Sequence, residues 1–208
     1  GNHTSVWDPF FLCSLVDAPI HYVVSDSQFR SRLVAFGLGV VGSIPKTKVL
    51  SDFETVKKIV KIKHRRGIIG VFPEGQSSWD GHTLPIVPST AKLVKSLKVP
   101  VVIAKMEGAY FSRPRWSRLP RRGKVTVVFH LAFTPEQLKR MTTAQVHEEL
   151  ERQLHFDAYE NQERDMIRFA GRRLAEYLER ALFVCPQCSS VDSLHSHRRR
   201  IRCSHCGH

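Results

Sequence analysis

The chain has 208 residues, of which 42% are hydrophobic, enough for one α/β domain with its own core and a small appendage. Its 32 Lys and Arg outnumber its 19 Asp and Glu, so the formal net charge is +13. No run of about 18 uninterrupted apolar residues occurs, which excludes a membrane-spanning helix from this sequence, and the first residues lack a signal-peptide pattern. Because the chain begins with Gly1 and not methionine, we interpret it as a piece of a longer protein.

The first predicted element is a helix over residues 7–16, and Asp8-Pro9 marks its opening turn, where proline is tolerated. His3 stands five residues before Asp8, and residues five apart on an ideal helix diverge by roughly 140°. We therefore expect His3 on the loop before the helix. A histidine whose ring nitrogen is held by a carboxylate is the pair that general-base catalysis uses. Taken alone, the pair is more often a surface histidine beside a capping aspartate.

Strands and helices alternate between residues 20 and 104. Apolar runs predict strands at 20–24, near 40, at 68–72 and at 99–104, and amphipathic runs predict helices at 27–37, 52–64 and 89–97. This alternation predicts an α/β fold with a mixed, largely parallel sheet flanked by helices. The strand at 68–72 leads into Pro73-Glu74-Gly75, a turn at the strand end where ligands of such sheets gather. Taken alone, this turn is an ordinary surface turn.

The last third of the chain predicts a further strand and two long helices. The strand covers residues 124–129, and the amphipathic helices cover residues 142–156 and 163–183. We therefore divide the chain into an α/β core (1–140), helices that complete or flank it (141–183) and a cysteine-containing tail (184–208).

Two Cys-x-x-Cys pairs lie in that tail, Cys185 with Cys188 and Cys203 with Cys206. Four thiolates make a closed tetrahedral zinc site, so the sequence predicts structural zinc in a zinc ribbon without catalysis. Since this uses four of the five cysteines, we expect no disulfide framework and a reducing compartment. Nearby histidines stay open as substitute ligands: His195, His197, His205 and His208.

Two basic clusters are candidates for contact with anionic partners. The first comprises Lys57, Lys58, Lys61, Lys63, Arg65 and Arg66; the second comprises Arg113, Arg115, Arg118, Arg121, Arg122 and Lys124. Anionic lipid surfaces, phosphate-bearing substrates, nucleic acid and acidic acyl-carrier proteins would each be attracted to such clusters. A solvated helix face is the alternative for the first cluster.

The combination of His3, Asp8 and the later Phe72-Pro73-Glu74-Gly75 resembles the glycerolipid acyltransferase family, which includes 1-acylglycerol-3-phosphate acyltransferases. The resemblance implies that family's α/β fold, with His3 as general base and Asp8 as its orienting partner. It also implies that Glu74 and Gly75 contact a glycerol phosphate acceptor. The chain departs from the family at Gln76-Ser77-Ser78, where Thr-Arg-Ser is usual.

Two weaker motifs extend the resemblance over residues 2–130. Gly42-Ser43-Ile44-Pro45-Lys46 falls where the family has an arginine, so Lys46 is a candidate phosphate-binding charge, with a solvated loop lysine as the alternative. Residues 99–104 resemble a Val-Pro strand of the family, and Gly108 follows at a matching place. A core strand explains that second motif equally well.

The resemblance implies O-acyl transfer from acyl-CoA or acyl-carrier protein to a lysophospholipid or glycerol phosphate. The charge then favours an anionic membrane at its cytoplasmic face, with peripheral attachment or an anchor outside this chain. The alternative is a nucleic-acid- or protein-binding module in which the acyltransferase-like half is inactive. Its basis is the basic hairpin of the tail, with Arg198-Arg199-Arg200 and Arg202.

Overall fold

The structure is a computed structural model that describes residues 1–25, 39, 42–46 and 53–208. The helices are α1 (Asp8–Cys13), α2 (Phe53–His64), α3 (Ser89–Leu97), α4 (Ala109–Ser112), α5 (Pro135–Arg140), α6 (Thr143–Leu154) and α7 (Ala158–Asp165). The strands are β1 (Ile20–Ser25), β2 (Ile44–Lys46), β3 (Ile68–Gly70), β4 (Val101–Glu107), β5 (Thr126–Phe133), β6 (Leu194–His197) and β7 (Arg200–Cys203). The helix predicted at 27–37 and the strand predicted near residue 40 lie outside the described residues.

A parallel sheet in the order β2-β1-β3 organises the first half of the chain. Ile20 of β1 lies opposite Ile68 of β3, and Ser25 of β1 lies opposite Lys46 of β2. Parallel strands need a crossover connection, and α2 lies in the connection between β2 and β3. Because the three strands run in one direction, Lys46 at the end of β2 and the turn after β3 lie toward the same edge of the sheet, the one formed by the carboxyl ends of the strands.

The strands β4 and β5 form a separate antiparallel pair with a register shift between Val101 and Val102. The prediction of an α/β fold with a mixed, largely parallel sheet is therefore confirmed. Helices α3, α5 and α6 pack against this pair through a core of Ile86, Ala91, Ile103, Phe133, Leu138, Val146, Leu150 and Leu154. A second core joins α1, β1 and β4 through Leu12, Ile20, Tyr22, Ala104, Met106 and Ala109.

Most elements predicted from local patterns are found, with their ends shifted. The helix predicted at 89–97 matches α3 from end to end. The helix predicted at 142–156 begins at Thr143 because the Thr142 side chain caps it in a capping box with Gln145. The strand predicted at 68–72 ends at Gly70, and the residues after it already form the turn.

The prediction of a helix over residues 163–183 is wrong. Helix α7 ends at Asp165, and Met166 has a left-handed backbone conformation with φ 49°. Beyond it, Ala170 exchanges two backbone hydrogen bonds with Arg122, at 2.7 and 2.8 Å. A 3₁₀ turn at Leu178–Arg180 is the helical element between α7 and β6. In residues 166–183, the linker between α7 and the tail, backbone groups are hydrogen-bonded to other parts of the chain. These bonds outweigh the helical periodicity of the linker sequence.

The tail is a β6–β7 hairpin that contacts the linker. Ala175 donates its N–H to the carbonyl oxygen of Arg198 at 2.9 Å, and Tyr177 donates its N–H to Ser196 Oγ at 2.7 Å. The division of the chain at residues 140 and 183 stays a prediction. Over the described residues, no helix combines the length and apolar character that crossing a bilayer requires.

Candidate active site

The structure brings His3 and Asp8 together at the start of α1. Asp8 is the first residue of the helix and is fully buried, and its Oδ2 lies 2.9 Å from His3 Nδ1. The same oxygen accepts the backbone N–H groups of Thr4 at 2.8 Å and Ser5 at 2.9 Å. Burial raises the pKa of Asp8, and the hydrogen bonds from His3, Ser5 and Thr4 oppose that shift. The local turn thus fixes the carboxylate, and the carboxylate fixes one nitrogen of the imidazole.

The opposite side of the His3 ring is open to a substrate. Its imidazole stacks on Phe72 with the ring centroids 4.4 Å apart, and Phe72 in turn stacks on Tyr22 at 5.8 Å. The His3 side chain keeps 18% of its surface exposed, and Nε2 has no hydrogen-bond partner among the described residues. An imidazole held at Nδ1 and free at Nε2 has the arrangement of a general base.

Glu74 holds the His3 loop from inside the protein. One of its carboxylate oxygens accepts the His3 N–H at 2.7 Å, and the other accepts the Leu84 N–H at 2.8 Å. The residue is buried, and this burial raises the pKa of its carboxyl group. Contact of Glu74 and Gly75 with the acceptor stays a prediction. The structure adds an internal role for Glu74 that the resemblance did not imply.

A third contact, between Asn2 and β4, was not found from the sequence. The buried Asn2 side chain donates to the Met106 carbonyl at 3.0 Å and accepts the Met106 N–H at 2.8 Å. The amide therefore pairs with a strand 104 residues away and anchors the residue before His3. An asparagine beside the motif was visible in the sequence, but its partner depends on the packing of β4.

The turn after β3 completes the loop around His3. Gly75 has φ 74°, a left-handed conformation that favours glycine, and Ser78 donates its N–H to the His3 carbonyl at 2.8 Å. Lys46 is half-buried at the end of β2, opposite Ser25. It therefore lies toward the same sheet edge as this turn, and its role as a phosphate-binding charge stays a prediction.

An apolar cavity of about 670 Å³ lies between the parallel sheet and the β4–β5 pair. Its walls include Phe72, Ile69, Leu93, Leu97, Ile103 and Leu154. Phe72 also stacks on the His3 ring, so one residue of the cavity wall contacts the imidazole. Apolar walls of this kind accept a hydrocarbon chain without the cost of burying polar groups.

The four tail cysteines converge on one point. Cys185 Sγ lies 3.8 Å from Cys206 Sγ, Cys188 Sγ lies 3.8 Å from Cys203 Sγ, and all four sulfurs lie within 4.8 Å of one another. Four thiolates at about 2.3 Å from a tetrahedral zinc ion would be separated by roughly 3.8 Å, so this arrangement fits zinc. Over the described residues, no histidine belongs to this cluster.

Comparison with known structures finds a protein of similar fold. The structure of the 1-acyl-sn-glycerophosphate acyltransferase PlsC from Thermotoga maritima is similar to this one, with a TM-score of 0.54 and 20% sequence identity. The match covers 74% of this chain and 62% of that protein. Among curated proteins, no match was found.

The family comparison covers the half of the chain that contains the His3–Asp8 pair and the Glu74 turn. The Acyltransferase family profile matches residues 1–106 of the 208 residues. The mixed α/β architecture is the fold that the PlsC comparison also finds. The protein therefore belongs to the acyltransferase family.

Proposed function

We propose that the protein is an O-acyltransferase that moves a fatty acyl group from a thioester donor to a hydroxyl of a lysophospholipid such as 1-acylglycerol-3-phosphate. The observation that carries this proposal is the His3 imidazole, held by the buried Asp8 carboxylate at Nδ1 and open at Nε2. Family membership supports the class of reaction. The PlsC likeness in fold motivates the choice of acceptor to test first.

In the proposed reaction His3 acts as the base. Its Nε2 removes the proton of the acceptor hydroxyl as the oxygen attacks the thioester carbonyl carbon, forming the new ester C–O bond. The C–S bond then breaks, and the imidazolium returns the proton to the departing thiolate. Asp8 stabilises the imidazolium between these two steps. No protein nucleophile is required, because the acceptor oxygen attacks directly.

The two substrates are proposed to meet at His3 from different sides. The apolar cavity that starts at Phe72 suits the acyl chain of one of them. The sheet edge with Lys46 and Gly75 suits the acceptor. Acyl-CoA and acyl-carrier protein are both thioester donors, and the first assays include each.

We propose that the enzyme works on an anionic membrane at its cytoplasmic face. Helix α2 presents Phe53, Val56 and Val60 to solvent, and Phe53 is 71% exposed. Lys57 and Lys61 lie on the same side of the helix, because residues three and four apart share a face. An apolar stripe bordered by lysines suits the headgroup region of an anionic bilayer.

The test of the function is an acyl-transfer assay on the purified chain. Wild type and His3→Ala are compared with acyl-CoA and acyl-carrier protein as donors, and with lysophospholipids, glycerol phosphate and simple alcohols as acceptors. We expect ester product from a lysophospholipid with wild type and a strong loss with His3→Ala. Absence of product with every donor–acceptor pair, in a folded wild-type protein, would overturn the proposal.

A further inference from the structure

The loop Arg113-Pro114-Arg115 packs directly against the turn that carries the catalytic pair. It follows α4, and Pro114 is fully buried while both neighbouring arginines are half-buried. Ser5, between His3 and Asp8, donates its hydroxyl to the Arg113 carbonyl oxygen at 3.2 Å. The buried proline therefore fixes the loop, and both arginine side chains emerge from it beside the His3 turn.

Arg115 is held in place by contacts on the Glu74 turn. Its Nη1 donates to the Ser77 carbonyl at 2.7 Å, and its guanidinium carbon lies 4.5 Å from the centroid of the Trp79 ring. Ser78, the next residue, donates its N–H to the His3 carbonyl. Arginine has five N–H donors, and these protein contacts use Nη1. The donors on Nε and Nη2 have no partner among the described residues.

Arg113 also lies over an aromatic ring, that of Trp7 in the His3 turn. Its guanidinium carbon lies 5.3 Å from the centroid of the Trp7 ring. Over the described residues, its guanidinium makes no hydrogen bond and no ion pair. A cation on an aromatic face keeps its edge donors available, because the ring contacts only the flat face of the guanidinium.

No carboxylate neutralises these two charges in the described part of the chain. Asp8 and Glu74 are buried, and their bonded oxygens accept from His3, Leu84 and the backbone of the turn. Asp80, which follows Trp79, lies 3.4 Å from His82. Two fixed, unpaired guanidinium groups next to the catalytic base are an arrangement that an anion would complete.

The other arginines of this loop have different partners. Arg121 donates from Nη2 to the Leu174 carbonyl at 2.8 Å, and Arg118 lies 4.7 Å from the centroid of the Tyr177 ring. Both therefore face the linker to the tail, not His3. Arg118 and Arg121 thus contact the linker, whereas Arg113 and Arg115 lie beside the candidate active site. Arg118 is therefore a matched control.

We propose that Arg113 and Arg115 bind the phosphate monoester of the acceptor, an inference that rests on the proposed acyltransferase function. Residues two apart have Cα atoms within about 7 Å, so two long side chains can reach one phosphate. The planar guanidinium matches two phosphate oxygens at once, a geometry that the ammonium group of Lys46 lacks. In a glycerol phosphate acceptor the hydroxyl faces His3 Nε2 while the phosphate lies against Arg115 and Arg113.

Steady-state kinetics with paired acceptors test this proposal. The acceptors are 1-acylglycerol-3-phosphate and monoacylglycerol with the same acyl chain, both in neutral detergent micelles. We expect Arg115→Ala to raise KM for the phosphorylated acceptor about 10- to 100-fold, with little change in kcat and none for monoacylglycerol. Arg115→Lys should have a KM between those of wild type and Arg115→Ala. Arg118→Ala should have the KM of wild type.

A binding measurement keeps the test independent of catalysis. Trp7 and Trp79 lie under the two guanidinium groups, so their fluorescence reports on occupancy. Titration with inorganic phosphate and glycerol 3-phosphate should give a saturable change for wild type and Arg118→Ala. The change should be absent for Arg113→Ala/Arg115→Ala, and glycerol should give none.

The outcomes separate the site from the function. Phosphate binding that depends on both arginines, in a protein without transferase activity, would retain the site and overturn the proposed function. Equal losses for both acceptors, or equal losses in Arg115→Ala and Arg118→Ala, would overturn the phosphate site. A loss confined to anionic vesicles and absent in neutral micelles would assign the arginines to the membrane surface instead.

Discussion

The carboxylate of Glu74 accepts the backbone N–H of His3 at 2.7 Å, so the Phe-Pro-Glu-Gly turn directly holds the histidine it accompanies in the sequence. The second oxygen of Glu74 is bonded to Leu84 N–H at 2.8 Å. Together with Ser78, which donates to the His3 carbonyl, the turn bonds both backbone groups of His3. The two motifs therefore form one structural unit around the imidazole.

Glu74→Gln should impair catalysis because it weakens the bonds that hold the His3 loop. The amide can accept one of the two N–H groups, but its NH₂ group then faces the other donor and leaves it unsatisfied. We expect a loss of about 1–3 kcal/mol in the free energy of unfolding and a fall in kcat/KM. Urea unfolding and acyl-transfer kinetics measure the two effects, with exposed Glu148→Gln as the control. Unchanged kinetics and stability would remove the proposed holding role.

The pH dependence of stability follows from the raised pKa of Glu74, whose cause is burial. The folded protein then retains this proton at a pH where the unfolded chain has lost it, so the folded state binds more protons above about pH 4.5. Stability contributed by this group therefore falls as pH rises through that window. We expect the difference in unfolding free energy between wild type and Glu74→Gln to shrink as pH rises above about 4.5. A difference that grows with pH would contradict the sign.

His3→Ala should reduce acyl transfer by roughly 10²- to 10⁴-fold, the usual contribution of a positioned base. Asp8→Asn should keep the fold, because the amide oxygen can still accept the N–H groups of Thr4 and Ser5. With that oxygen in the place of Oδ2, the NH₂ group takes the place of Oδ1, which has no partner among the described residues, and the neutral amide no longer stabilises the imidazolium that forms on His3. Circular dichroism checks folding, and kcat/KM checks catalysis. Near-normal turnover of a folded His3→Ala protein would eliminate the mechanism.

Lys46→Ala should raise KM for a phosphorylated acceptor more than it lowers kcat. A charge that meets the phosphate equally in the ground and transition states gives uniform binding. The matched control is Lys58→Ala on the exposed face of α2. If phosphate-free alcohols react as well as phosphorylated ones, Lys46 has another role.

The tail should contain one zinc ion per chain, measured by elemental analysis of reduced protein. Cys185→Ser should lose this zinc, while Cys13→Ser should keep it.

About two dozen residues are too few to fold on a hydrophobic core, so metal should decide the structure of the tail. Hydrogen exchange with a zinc chelator should show lost protection in the tail. It should extend to the linker around Ala175 and Tyr177, which bond to the hairpin. Protection lost equally at Asp8 would mean that the tail supports the α/β core.

The features that could be predicted from the sequence alone are those that depend on local chemistry. Helix α3 was predicted from end to end, because its periodicity lies within nine residues. The four cysteines were predicted as one site from the preference of zinc for four thiolates. The approach of His3 to Asp8 followed from five residues of spacing and a proline that marks the helix start.

The tertiary structure decided what depends on distant partners. The pairing of Asn2 with Met106, the bond from His3 to Glu74 and the position of Arg115 on Ser77 each require the order in which strands and loops pack. The helix predicted at 163–183 failed for the same reason, since hydrogen bonds to Arg122 and the tail outweigh its periodicity. Periodicity reports which face of a segment is apolar, but not which segment covers it. The His3–Asp8 pair was therefore visible in the sequence, whereas the contacts that position it emerged only from the fold.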